Sequence, residues 1–151
     1  MENRGLLVSL VVLCLVIVSS CTSGGGGTWT DEVRTLDLTF DGEHCTYEGP
    51  TELAAGPVEL FFHNNSDKMA AVNFAKLLEG KTIQDIIDYI GEEPTTKHAP
   101  SWTQELGTWT GVNSGDTHHW EGELEPGIYN MVCAIAYPLA VWHGTGLTVG
   151  K

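Results

Sequence analysis

Basic residues are scarce in this sequence: seven Lys and Arg stand against 20 Asp and Glu, a formal net charge of −13 over 151 residues. So few cations cannot build an electrostatic grip on phosphate backbones, which excludes nucleic acid as a partner. Anionic headgroups are excluded as a direct electrostatic target for the same reason. Catalytic signatures are missing as well. There is no His-Glu-x-x-His, no Gly-x-Ser-x-Gly, no Walker A sequence and no Gly-x-Gly-x-x-Gly opening a helix after a strand. Carboxylates do cluster, at Glu92-Glu93 and along Glu121, Glu123 and Glu125, but that spacing reads as a solvated acidic surface and not as a general acid/base pair. The expectation is therefore a protein that is not an enzyme. No repeat of fixed period appears. Disorder is excluded by composition, since 42% of residues are apolar and five are tryptophan.

The one long apolar run lies at the start. Leu6 to Val18 follows the single basic residue Arg4; it is shorter than the roughly 20 residues a membrane helix needs and matches a secretory signal. Val18-Ser19-Ser20-Cys21 resembles the lipobox of bacterial lipoproteins, in which the cysteine becomes the lipidated first residue of the mature chain. The resemblance implies a lipid anchor on Cys21, with the membrane as partner through that anchor and the bacterial cell envelope, on its extracytoplasmic side, as location. Thr22 to Gly27 (Thr-Ser-Gly-Gly-Gly-Gly) is a flexible, uncharged tether. The expected division is residues 1–20 signal peptide, 21–30 lipidated cysteine and Gly-rich tether, and 31–151 a single folded domain.

Of four cysteines, Cys14 leaves with the signal and Cys21 is acylated, so Cys45 and Cys133 remain. In an oxidising compartment such a pair is expected to form a disulfide joining an early strand to a late one. The alternative is that Cys133 is a metal thiolate and Cys45 a bystander.

Period-two alternation predicts strands at Thr35–Phe40, Val58–His63, Met69–Ala75, Thr117–Leu124, Ile128–Ala134 and Gly146–Val149. Asp41-Gly42 and Glu125-Pro126-Gly127 read as turns. Thr82 and Asp85 form a capping box, and Ile83, Ile86, Ile87 and Ile90 follow at helical spacing up to Gly91. Glu92 to Trp109, with two prolines and no period, reads as an irregular loop. Seven or so short strands with one helix predict a mainly β, Greek-key β-sandwich.

Pro126-Gly-Ile-Tyr-Asn-Met-Val-Cys133, running on to Gly146-Leu-Thr-Val149, resembles the last two strands of cupredoxins. Gly49-Pro50, Val58 to Asn65 and Leu77 to Thr82 resemble the corresponding upstream parts of cupredoxin-like extracytoplasmic domains. The resemblance implies a Cys thiolate, two His nitrogens and an axial Met around copper. Cys133 matches the thiolate position, but the segment expected to carry the first His is Lys68-Met-Ala-Ala71, and the later ligand places fall near Pro138 and His143.

The expectation is thus a membrane-anchored binding or scaffold domain without a standard blue-copper site. No cofactor is expected, and the partner is an envelope protein or a small ligand. The alternative is an atypical copper-binding electron carrier or metal chaperone using Cys133 and His143, with His63 or His98 completing the set. His118 and His119 are adjacent and point to opposite faces of their strand, so at most one can join a cluster. Trp102, Tyr137 and Trp142 are the candidates for an aromatic ligand or partner patch.

Overall fold

The computed structural model describes residues 33–91, 99–107, 110–136 and 139–151. Leu36, Leu38 and Phe40 alternate with polar residues in β1 (Arg34–Phe40), and all three are fully buried. β4 (Gly56–Asn64) buries Val58, Leu60 and Phe62 in the same rhythm. The two strands run parallel in register, Leu36 beside Leu60 and Leu38 beside Phe62. β2 (Cys45–Glu48) covers one edge of this pair, and β7 (Thr117–Leu124) the other, to give a four-stranded sheet in the order β2-β1-β4-β7.

The second sheet has the order β3-β9-β8-β5-β6, from β3 (Glu52–Ala54), β5 (Ala70–Leu77), β6 (Thr103–Glu105), β8 (Gly127–Ala136) and β9 (Leu139–Gly150). Its inner face carries Val72, Phe74, Tyr129, Met131, Cys133, Leu147 and Val149, which join the first sheet's apolar side chains in one core. Two sheets packed on a shared core make the expected β-sandwich. The outer face of this second sheet is covered by the helix α1 (Ile83–Ile90), with Ile86 and Ile90 packed on Leu77, Val132, Ala134 and Val141. β5 and β8 are therefore buried on both faces. Thr82 caps the helix as expected, its side chain accepting from the Asp85 N–H while the Asp85 carboxylate accepts from the Thr82 N–H.

Two sequence expectations need correction, and two strands went unpredicted. The segment Glu92–Trp109 is not wholly irregular, because Thr103–Glu105 pairs with Ala75–Leu77 as β6. β2 and β3 are short edge strands whose few residues carry no usable period. The last strand is not confined to Gly146–Val149 but begins at Leu139. Its alternation is broken by an irregularity: Met131 pairs with Thr145 while Val132 pairs with His143, leaving Gly144 as an extra residue on β9. Such a bulge reverses the facing of everything beyond it. Trp142 consequently packs on the main core while Val141 lies under the helix.

Candidate functional site

Cys45 and Cys133 are joined in a disulfide, as the cysteine count suggested, across a sequence separation of 88. Cys45 opens β2 of one sheet and Cys133 lies mid-strand in β8 of the other, so the bond staples the sandwich across its core. The chain reaches Cys45 through a tight turn held by one carboxylate. Asp41 Oδ1 accepts from the backbone N–H groups of Glu43 at 2.8 Å and His44 at 2.7 Å, and these bonds hold the Asp41 carboxyl below its ordinary pKa.

Beside Cys45 opens a cleft of about 360 Å³, within the range typical of small-molecule sites. One wall is the turn and β2, with Glu43, His44, Cys45 and Thr46; the second is the end of α1, with Ile87, Ile90 and Gly91; the third is β9, with Val141, Trp142 and His143. Apolar surface comes from the isoleucines, Val141 and Trp142, and polar groups from Glu43, His44, Thr46 and His143. Trp142 is braced by Phe40, ring centroids 4.9 Å apart. His143 Nε2 is buried and has no hydrogen-bond partner among the described residues. Burial pushes the His143 pKa down, so its imidazole is neutral at neutral pH and can accept or donate one hydrogen bond.

The candidate residues are distributed as follows. Cys45, Cys133, Trp142 and His143 are brought together. Trp102 is elsewhere: it packs with the helix cluster, edge-on to Tyr89 and beneath Lys81. His63 lies on the solvent face of the four-stranded sheet, bonded to Thr117 at 2.9 Å and Asp37 at 3.3 Å. His118 and His119 do separate to opposite faces, His119 being the exposed one. Cys21, His98 and Tyr137 lie outside the described residues. The sequence reading missed Glu43, Thr46, Ile87, Ile90 and Val141 as cleft residues. Only the approach of α1 to the β2 turn assembles them, and no local pattern encodes that approach.

The chain is similar to two solved auracyanin structures. One is sodium-dithionite-reduced auracyanin from the photosynthetic bacterium Roseiflexus castenholzii, 19% identical, covering 78% of this chain and 98% of that one, with a TM-score of 0.43. The other is auracyanin B, 17% identical, covering 81% of this chain and 94% of that one, with a TM-score of 0.44. No protein-family model and no curated protein matches the chain. Residue roles rest on the geometry of this chain alone.

That geometry does not fit a trigonal copper cage in the disulfide form. Cys133 has no thiolate to give while it is bonded to Cys45. His143 sits opposite Val132, one step from Cys133 in the ladder, and Lys68 to Ala71 supply no imidazole.

Proposed function

We propose that the chain is a lipid-anchored, extracytoplasmic binding domain, not an enzyme and without a standard blue-copper centre. Its ligand seat is the cleft beside the Cys45–Cys133 disulfide. The observation that carries the reading is the 360 Å³ cleft, whose lining joins Ile87, Ile90, Val141 and Trp142 to His143, a residue whose Nε2 is buried without a hydrogen-bond partner among the described residues. A buried polar atom without a partner costs free energy unless something supplies the missing bond. The apolar lining and the neutral imidazole favour a small, partly apolar molecule carrying one hydrogen-bonding group. Cys21 and the Gly-rich tether support anchoring at the envelope, with the bulk of the negative charge keeping the domain clear of anionic headgroups.

Indole, apolar with one N–H donor, is a suitable probe. Saturation-transfer NMR on the full chain in detergent should show indole binding that falls several-fold in His143→Leu and in Ile87→Trp, which fills the cleft. Undiminished binding in Ile87→Trp would remove the cleft from the reading. Copper added to the disulfide form should give no intense thiolate charge-transfer band in the visible; such a band would establish the copper-carrier alternative instead. Labelled palmitate should enter the chain in a bacterial host and be absent from Cys21→Ala.

A further inference from the structure

The solvent face of the four-stranded sheet, away from the cleft, carries a second arrangement. β4 and β7 are antiparallel, with Glu59 directly opposite Glu121 and Phe61 directly opposite His119. Two carboxylates facing each other across a ladder repel. Among the described residues no Lys or Arg pairs with either; the group beside both is the His119 imidazole. Its Nε2 stands 3.8 Å from Glu59 Oε2 and 3.7 Å from Glu121 Oε1, too far for a hydrogen bond to either. One donor atom from each of the three residues lies within 4.8 Å of the other two.

We propose that Glu59, His119 and Glu121 bind a divalent first-row transition metal ion. In a tetrahedral zinc shell, with bonds of about 2.0–2.2 Å, neighbouring donor atoms are about 3.4 Å apart. The two imidazole–carboxylate spacings, 3.8 and 3.7 Å, exceed this by a few tenths of an ångström, and the three donors lie within 4.8 Å of one another; rotation about the flexible glutamate side chains is what binding would require to close the shell. The imidazole plane is already set: Phe61 stacks on His119 with ring centroids 4.5 Å apart and planes 5° from parallel. Ordering that ring therefore costs little on binding. One imidazole with two carboxylates suits zinc and its neighbours, whereas calcium and magnesium prefer oxygen alone. The cation also replaces a repulsion with two attractions, in a chain whose net charge of −13 concentrates cations at its surface. Three protein donors leave at least one coordination position open to solvent or to a ligand.

The test is calorimetric titration of Zn²⁺ into the full chain, in detergent, without a polyhistidine tag and with the disulfide formed. One Zn²⁺ per chain is expected, with affinity falling tenfold or more in each of Glu59→Gln, His119→Gln and Glu121→Gln. His63→Gln, on the same face but outside the trio, should bind within twofold of the parent. Zn²⁺ should raise the melting temperature of the parent and not of His119→Gln. All three residues are at the surface, and Glu59→Gln and Glu121→Gln should each melt no lower than the metal-free parent because the repulsion is gone. The proposal is overturned if His119→Gln binds as tightly as the parent, if His63→Gln loses as much as it does, or if millimolar Zn²⁺ gives no binding heat.

Discussion

At Gly144 strand β9 carries one residue more than β8 can pair, and no side chain fits there. A Cβ at this position would lie 2.8 Å from Cys45 Sγ and 3.1 Å from both Leu38 Cδ1 and the Met131 carbonyl. The sulfur is tethered and the carbonyl is backbone, so little can give. Gly144→Ala should destabilise the fold by about 1–3 kcal/mol, the usual cost of overpacking, read as a lower urea midpoint. Its neighbour His143 acts through protonation. Burial lowers its folded pKa below the ordinary 6.5, so the unfolded chain takes up the proton first as pH falls. The His143 contribution is complete above about pH 6.5 and is lost as the pH drops through the lowered folded value. His143→Gln should flatten the slope of stability against pH in that window, and a parent-minus-variant difference constant across it would refute the argument.

At the scale of elements, α1 was legible because its signals are local: a cap, a box and four isoleucines at helical spacing. The box also gives it an acid sensitivity. The Thr82 side chain and backbone, then Lys81, stabilise the Asp85 carboxylate and pull its pKa from 3.8 to about 2. This contribution is present above pH 3.8 and fades as pH falls toward 2, the reverse of a group whose folded pKa is raised. Asp85→Asn should remove that part of the acid dependence of helicity by circular dichroism, while Thr82→Ala costs about 1 kcal/mol at neutral pH. The docking of the helix was not legible. Ile83 reaches over β9 at Gly146, where a Cβ would meet its Cγ1 at 2.3 Å and Cδ1 at 2.4 Å, and nothing in the sequence ties these two positions. The last strand was misread for a related reason. Leu147 and Val149 face the core in one phase and Trp142 in the other, so no single period runs through the bulge between them. The buried alternations of β1 and β4 contain no such slip and were read to within two residues at each end.

On the scale of the whole molecule, the disulfide does what neither sheet can do alone. β2 is a four-residue edge strand, held on one side only, and Cys45 at its start connects it through Cys133 to the middle of the opposite sheet. Cross-linking residues 88 apart restricts the unfolded chain, by roughly 4–5 kcal/mol in the chain-entropy model. That is a large share of the roughly 5–15 kcal/mol a domain of this kind has in total. The same bond positions one wall of the cleft, so stability and binding should fail together but not in proportion. In Cys45→Ala/Cys133→Ala the urea midpoint should fall, and the m-value should rise because the unfolded chain, no longer looped, exposes more surface. Indole binding, measured well below the new midpoint, should weaken further than the remaining folded fraction accounts for, since the Glu43–Thr46 wall has lost its anchor. A variant with the parent's m-value and midpoint would mean that the staple closes a loop already ordered in the unfolded state. Unchanged indole binding by the folded fraction would mean that the Asp41 turn holds its wall unaided.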